Sequence, residues 1–231
     1  MKQLVAVSPQ TAQYVTDISG RKDIQIIPNG IIPIKPNLRE CEVIKDNMVR
    51  CVFVGSLISY KGVHIAIEAI SKAVSQGIEV GLDIIGDGPE RKKLISQVRE
   101  KGLINKVNFL GVLSQQEVRK KLLSYDISLI PSIPYGEKGE ESFPYACLES
   151  MDAGLLTIAS RVGGLSKIIT DNYNGCLVEH SNSDAISSII SSYYISKNEY
   201  DQIKKKAKET IEQNYSATAM AGKYLDVYKL V

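Results

Sequence analysis

Alternating strand-like and helix-like segments dominate this sequence from Val49 onward and limit the folds that it can adopt. Six short apolar runs, typical of strands buried on both faces, are separated by segments with helical periodicity. Repeated alternation of this kind predicts an α/β fold with a doubly wound, Rossmann-like parallel sheet. The predicted strands are residues 51–54, 80–85, 107–110, 127–130, 156–159 and 176–178.

Local signals place the helices between and after these strands. Residues 62–76 carry their apolar side chains on one face, and His64 falls on the opposite, polar face. Ser114, with Glu117 three residues later, predicts a capping box at the start of another helix. Extra C-terminal helices are predicted at residues 184–194, 199–213 and 216–229.

The loops that follow the strands are the predicted location of the site, because ligands of doubly wound sheets bind beyond the carboxyl ends of the strands. Lys61 lies in the first of these loops, where its ammonium is placed to meet phosphate oxygens, although a loop lysine is more often only solvated. Gly86 begins a Gly-Asp-Gly turn after the second strand. Gly163 and Gly164 follow the fifth strand and permit either close approach of a ligand or a tight turn.

The loop after the fourth strand leads into a predicted helix N-terminus. Ser142 is placed to cap this helix, and Pro144 occupies the position expected of its first residue. The backbone amides of Phe143, Tyr145 and Ala146 would then converge at the positive end of the helix dipole. This arrangement predicts an anion site that suits a diphosphate.

Two carboxylates flank the predicted anion site. Glu141 precedes the helix, whereas Glu149 lies within it, about 7.5 Å along the axis from the first helical position. A nucleotide sugar, with hydroxyl-bearing rings at both ends and phosphates between them, matches this arrangement. The spacing by itself is more typical of two solvated glutamates that interact with the helix dipole, so the functional interpretation depends on the rest of the chain.

Composition excludes several other functions. The formal net charge of +2 gives no electrostatic footprint for nucleic acid. The four cysteines form no C-x-x-C pair, which argues against a zinc site or a disulfide framework and indicates reduced thiols in the cytosol. The two histidines form no hydrolase triad, and no cluster of metal ligands is present. No apolar run approaches the length of a transmembrane segment or a signal peptide.

The N-terminal residues predict a separate, incomplete unit. Residues 1–34 have the pattern strand, helix, strand, which is too short to cover both faces of a parallel sheet and indicates the remnant of a larger domain. Pro33, Pro36 and the charged residues up to 46 predict a linker. The predicted division is therefore residues 1–46, a domain remnant with its linker, and residues 47–231, the Rossmann-like domain.

A set of ordered motifs resembles the retaining glycosyltransferases of family 4. The motifs are Phe53-Val54-Gly55-Ser56-Leu57 with Lys61-Gly62, Ile85-Gly86-Asp87-Gly88-Pro89-Glu90, Phe109-Leu110-Gly111, Glu141 to Met151, Ala159-Ser160-Arg161-Val162-Gly163-Gly164 and Asn174-Gly175-Cys176-Leu177-Val178. The resemblance covers residues 49–228. It implies the C-terminal, nucleotide-sugar-binding half of a GT-B fold, in which two Rossmann-like domains face each other. Residues 1–46 would then belong to the acceptor-side domain.

The resemblance also implies roles for individual residues. Glu141 would contact hydroxyls of the donor sugar, Lys61 would contact the diphosphate, and these two would carry the catalytic function. Glu149 would bind the ribose hydroxyls, and Val112 would lie beside the base. The remaining donor-binding positions would be Ser56, Phe143, Tyr145, Ala146, Gly86, Gly163 and Gly164. No metal or other cofactor is expected, because the donor is the substrate and family members need no metal.

Three departures from the family pattern stand out. Ser56 replaces a phosphate-binding arginine, which removes a bidentate donor. Ser166 and Lys167 replace the usual Pro-Glu after the double glycine, and we hypothesise that Lys167 restores part of the lost charge as a further donor-binding residue. Most of the acceptor-binding N-terminal domain, against which the family's final helix packs, has no counterpart in residues 1–34.

The sequence thus predicts the donor-binding half of a retaining hexosyltransferase, acting on a saccharide or lipid-linked acceptor in cell-surface polysaccharide synthesis. The chain is expected to be a truncated product, an expressed fragment or one subunit of a split enzyme. By itself it is expected to be inactive or weakly active. The expected partners are an acceptor-domain protein or a second copy bound through the exposed C-terminal helix. The expected location is the cytoplasm, free or at the inner membrane face. The alternative is a non-catalytic module that binds a nucleotide sugar or recruits a partner. A nucleotide-sugar epimerase is a third class, but the sequence shows no acid and base groups arranged for that reaction.

Overall fold

The computed structural model describes residues 3–34, 47–135 and 144–229, which contain two parallel sheets. In the smaller sheet, β1 (Leu4–Ala6) pairs with β2 (Ile24–Ile26), and α1 (Pro9–Ser19) connects them. The larger sheet has six strands: β3 (Val49–Val54), β4 (Val80–Ile85), β5 (Val107–Gly111), β6 (Ile127–Ile130), β7 (Leu156–Ser160) and β8 (Cys176–Val178). Its helices are α2 (Val63–Ser75), α3 (Arg91–Glu100), α4 (Gln115–Leu122), α5 (Tyr145–Ala153), α6 (Leu165–Ile168), α7 (Ser183–Ile195), α8 (Asp201–Thr210) and α9 (Ala217–Lys229).

The order of strands in the larger sheet confirms the predicted doubly wound fold. The order is β5-β4-β3-β6-β7-β8, which becomes 3-2-1-4-5-6 when counting begins at β3. Strand β3 pairs with β4 on one side and with β6 on the other, so the direction of winding reverses between β3 and β6. A crevice opens at the carboxyl ends of strands where winding reverses, which makes this the expected place for a ligand.

Two apolar layers cover the larger sheet. On one face, β3 and β4 pack against α2, whose fully buried residues include Ile67 and Ile70. On the other face, Leu148 and Met151 of α5 pack with Ile211, which follows α8. His64 on α2 is exposed, as its position on the polar face predicts. Burial of both faces explains why the strands read as continuous apolar runs.

All six predicted strands are present, with ends that differ from the predictions by at most two residues. The predicted capping box is confirmed, because the Ser114 hydroxyl accepts a hydrogen bond from the Glu117 amide and the Glu117 carboxylate accepts one from the Ser114 amide. The helix predicted at residues 199–213 is not continuous. It consists of a 3₁₀ turn (Lys197–Tyr200), α8 and a π-helical turn (Ile211–Tyr215).

The segment after β2 is fixed to the larger domain by backbone hydrogen bonds. The Ile31 amide donates to the carbonyl of Tyr215 at 2.8 Å, and the Ala217 amide donates to the carbonyl of Ile31 at 2.7 Å. The Ile34 amide donates to Oδ2 of Asp152 at 2.6 Å, and Ile31 and Ile34 are both buried. Residues 31–34 therefore dock on the larger domain, although Pro33 was predicted to belong to a linker.

The last helix contacts the N-terminal unit along part of its length. The Gly30 amide donates to Sδ of Met220 at 3.2 Å, and a Cβ on Gly30 would lie 2.5 Å from the carbonyl oxygen of Ser216. Helix α9, which the sequence predicted to be exposed, is therefore covered by the N-terminal unit at its N-terminal end. Leu225 and Tyr228, towards the other end, are exposed.

Candidate functional site

The loops after β3 and β6 interlock at the point where winding reverses. Gly62 has a φ of +68°, and a Cβ there would lie 1.9 Å from the carbonyl oxygen of Pro131. The Ile133 amide donates to the carbonyl of Tyr60 at 2.8 Å, and the rings of Tyr60 and Tyr135 are 5.2 Å apart. Lys61, between Tyr60 and Gly62, is therefore held at the predicted ligand crevice.

The loops after β3 and β4 also cross in close backbone contact. Gly86 has a φ of +131°, and a Cβ there would lie 2.0 Å from the carbonyl oxygen of Gly55. The Leu57 amide donates to the carbonyl of Asp87 at 2.9 Å, and the Glu90 amide donates to the carbonyl of Leu57 at 3.0 Å. The loop crossing alone thus requires glycine at position 86, whether or not a ligand binds there.

Helix α5 begins after β6 and points its N-terminus towards the same crevice. The structure corrects the predicted position of Pro144, which is the N-cap residue and not the first helical residue. Its carbonyl accepts from the Cys147 amide at 3.0 Å, while its ψ of 87° is not helical. Tyr145 and Ala146 then occupy the first helical positions, whose amides have no intrahelical acceptor. Three predicted site residues lie outside the described residues: Glu141, Ser142 and Phe143.

Glu149 lies inside α5 and is 9% exposed. Its Oε1 accepts a hydrogen bond from Nε2 of Gln115 at 3.2 Å. Because a buried carboxylate needs polar partners, this contact is part of what allows Glu149 to lie there. The interpretation of Glu149 as a solvated surface residue is therefore wrong.

The sequence did not reveal two polar contacts of α5 with distant residues, those of Glu149 with Gln115 and of Asp152 with Ile34. Gln115 is the first residue of α4, directly after the capping Ser114, and no sequence signal links it to Glu149. Asp152, three residues after Glu149 on α5, is 1% exposed and accepts from the Ile34 amide. A charged residue in the middle of an apolar segment indicates that its carboxylate has a buried partner, but it does not identify that partner.

The other predicted donor-binding residues occupy the carboxyl ends of different strands. Ser56 is exposed in the loop after β3. Val112, after the edge strand β5, is 76% exposed. Gly163, with a φ of +46°, and Gly164 are buried before α6. The structure thus places these residues along one end of the sheet, whereas their contacts with a nucleotide stay predictions.

Lys167, on α6, lies beside the N-terminal unit. It lines a cavity of about 170 Å³ together with Ser8, Gln10, Tyr215 and other residues. The sequence predicted that Lys167 would compensate for the arginine missing at position 56. The structure places the two residues on connections after different strands, β7 and β3.

Two further properties concern the part of the chain that the structure describes. Across residues 3–34, 47–135 and 144–229, no three or more His, Cys, Asp or Glu side chains are grouped so that they could hold a metal ion. Among the described helices, none combines the length and the apolar composition that a bilayer crossing requires.

The six-stranded, doubly wound parallel sheet flanked by helices is the fold of a Rossmann-like domain of the GT-B glycosyltransferases. Solved structures share this fold. The structure of Anabaena Alr3699/HepE in complex with UDP has a TM-score of 0.84 and 21% identity, with 99% of this chain and 64% of that chain covered. Sucrose-phosphate synthase from Thermosynechococcus elongatus has a TM-score of 0.80 and 21% identity, with 98% and 57% covered.

The sequence profile described as "Glycosyl transferases group 1" matches residues 35–210, and the chain belongs to this family. An uncharacterized glycosyltransferase of Methanocaldococcus jannaschii, MJ1607, is 29% identical over 99% of this chain and 60% of its own length. The lipopolysaccharide core biosynthesis glycosyltransferase LpsD of Rhizobium meliloti is 26% identical over 99% of this chain and 64% of its own length. This chain therefore spans about 60% of the length of these relatives.

Proposed function

We propose that this chain is the donor-binding half of a retaining glycosyltransferase and that it binds a nucleotide diphosphate sugar at the reversal between β3 and β6. The observation that supports the proposal is that Lys61 follows β3 and α5 begins after β6, at the two strands between which winding reverses, with Glu149 buried on α5. A point charge, a row of helix N-terminal amides and a carboxylate are the groups that a diphosphate linked to a ribose requires.

Each group has a distinct part in binding the donor. Lys61 and the amides of Tyr145 and Ala146 bind the diphosphate, and they stabilise the charge that develops on it when the bond to the sugar breaks. Glu149, oriented by Gln115, accepts hydrogen bonds from the ribose hydroxyls. Glu141 contacts the donor sugar. Binding in this way needs no metal ion, because the lysine and the helix dipole supply the positive charge.

Similar proteins support the donor class and the broader role. Structures of HepE in complex with UDP and with UDP-glucose share the fold of this chain. LpsD is named for lipopolysaccharide core biosynthesis, and the glycosyltransferase AmsK of Erwinia amylovora is named for amylovoran biosynthesis. We infer a saccharide or lipid-linked acceptor in such a pathway and a cytoplasmic location, free or at the inner membrane face. The transfer reaction requires an acceptor-binding domain, so this chain alone is expected to be inactive or weakly active.

Calorimetric titration with uridine, guanosine and adenosine diphosphates tests the donor site. We expect one of the three to bind, and Lys61→Gln to weaken it about 10-fold or more, since a charge-assisted hydrogen bond contributes about 1.5–3 kcal/mol. Lys120→Gln, an exposed lysine on α4, is the matched control and should change affinity less than about twofold. Equal affinities of Lys61→Gln and the unmodified chain would refute the assigned site.

A partner-recruiting role has one observation in its favour, which is the exposure of Leu225 (58%) and Tyr228 (71%) on α9. Two large apolar side chains one turn apart form a surface that a partner domain or a second copy of this chain can cover. Sedimentation of the chain and of the Leu225→Ser, Tyr228→Ser double variant tests this role. A concentration-dependent dimer that the double variant abolishes supports it, and a monomer in both cases contradicts self-association.

A further inference from the structure

The segment of residues 31–34, which follows β2, binds both α4 and α5. Its Ile34 amide donates a hydrogen bond to Oδ2 of Asp152 on α5 at 2.6 Å. Its Ile32 carbonyl accepts a hydrogen bond from the guanidinium of Arg119 on α4, a residue 87 positions further along the chain. The segment therefore connects α4 to α5 through two polar contacts that no local sequence rule predicts.

The same two helices also contact each other directly. Nε2 of Gln115 on α4 donates to Oε1 of Glu149 on α5 at 3.2 Å. Gln115 and Arg119 are four residues apart on α4, and Glu149 and Asp152 are three residues apart on α5. Residues at these spacings are neighbours on one face of a helix. The direct contact and the connection through residues 31–34 therefore lie side by side, about one helical turn apart.

Helix α4 depends on such contacts because little of it is packed into the core. It has eight residues, and a helix of this length is marginal without tertiary contacts. Of these eight described residues, two are buried, Val118 and Leu122, whereas Gln115 in the first turn is exposed. The capping box of Ser114 is internal to the start of α4 and does not fix the helix against α5. The position of Gln115 relative to α5 therefore depends on what anchors the next turn, and Arg119 lies there.

We propose that Arg119 is a positioning residue of the donor site, which acts on the nucleotide through Gln115 and Glu149. By binding the Ile32 carbonyl, Arg119 holds α4 where Gln115 orients the carboxylate of Glu149. The proposal rests on the proposed function, which assigns that carboxylate to the ribose hydroxyls. An arginine suits this role because its guanidinium stays charged, and a charged donor binds a carbonyl more strongly than a neutral donor does.

Calorimetric titration of variants with uridine, guanosine and adenosine diphosphates tests the role of Arg119. Arg119→Met removes the donor and keeps the apolar stem, and we expect it to weaken the diphosphate that binds about 3-fold. Arg119→Lys should restore most of the affinity, because an ammonium also donates to a carbonyl. Lys120→Met is the matched control, since it removes the same charge from the neighbouring, exposed residue of α4, and it should change the affinity less than about twofold.

A double-mutant cycle then shows whether Arg119 acts through Gln115. The double variant of Arg119→Met and Gln115→Ala should bind no more weakly than Gln115→Ala alone, because the contact that Arg119 supports is already lost. Losses that multiply in the double variant would show that Arg119 affects binding by a route independent of Gln115, and they would overturn the proposal. Unchanged affinity in Arg119→Met would overturn it as well.

NMR of the ¹⁵N-labelled chain reads the same positioning without any nucleotide. The side-chain amide resonances of Gln115 should shift in Arg119→Met and stay in place in Lys120→Met. Resonances that stay in place in both variants overturn the proposal, whatever the nucleotide affinities are. A shift in Arg119→Met in a chain that binds none of the three diphosphates would refute the proposed function and support the positioning of Gln115 by Arg119. Failure of the donor site and failure of the positioning role are therefore distinguishable.

Discussion

Replacing Gly62 by alanine tests whether the loops after β3 and β6 are locked together by backbone contact. Gly62 and Gly102 provide a matched pair, because both have a φ of +68°. A Cβ at Gly62 would lie 1.9 Å from the carbonyl oxygen of Pro131, whereas a Cβ at Gly102 would meet nothing within 4 Å. The two alanine variants therefore share the same backbone strain and differ in the clash alone.

The expected magnitudes follow from this difference. Left-handed backbone costs an alanine about 1–2 kcal/mol, which is the whole effect expected at Gly102. Real Cβ atoms essentially never lie under 3.0 Å from such a neighbour, so Gly62→Ala must open the loops by at least 3.0 − 1.9 = 1.1 Å. Overpacking of this kind adds about 1–3 kcal/mol, for a total of roughly 2–5 kcal/mol at Gly62.

Urea unfolding followed by circular dichroism measures the stability of both variants, and calorimetry with the bound nucleotide measures the site. Gly62→Ala should lose more stability than Gly102→Ala and should also bind the nucleotide more weakly, because Lys61 moves with the loop. Gly102→Ala should keep the unmodified affinity. Equal losses of stability in the two variants would show that the loops are free to separate, which would refute the proposed backbone lock between them.

Three further predictions concern side chains. Gln115→Ala should weaken nucleotide binding about 3- to 10-fold in calorimetry, because Glu149 loses a hydrogen bond that contributes about 0.5–1.5 kcal/mol. An unchanged affinity would contradict the role of Gln115 in positioning Glu149. Asp152→Ala should lower the free energy of unfolding, measured in urea, by at least about 1–3 kcal/mol, because the buried Ile34 amide loses its acceptor. A loss of stability below about 0.5 kcal/mol, which is typical of a surface substitution, would refute the contact. Burial, with a smaller contribution from the nearby Asp171, raises the pKa of Cys176 to about 12. At pH 8 the Cys176 thiol should therefore react with a disulfide reagent only after the chain unfolds. Fast labelling of the folded chain would show instead that the thiol is accessible.

The parts of this fold that were predictable from the sequence are those set by local interactions. A strand buried on both faces must be a continuous apolar run, so all six strands of the larger sheet could be located. The two residues of the capping box, Ser114 and Glu117, are only three positions apart, so this feature was also predictable. The contact of Gln115 with Glu149 joins residues 34 positions apart on different helices, and no local rule relates them. The Ile34 contact with Asp152 spans 118 positions, which is why a docked segment looked like a linker.

Helix α5 links the proposed donor site to the N-terminal unit. Its first turn faces the reversal between β3 and β6, its Glu149 is bound by α4, and its Asp152 is bound to the segment after β2. Glu149 and Asp152 are three residues apart, so they lie close together on the helix surface and a shift of one backbone segment moves both. Because α5 is buried on nearly all sides, it transmits such a shift as a rigid element and cannot absorb it locally. Movement of the N-terminal unit should therefore change the position of the carboxylate that we assign to the ribose, and one helix would couple this unit to the proposed donor site.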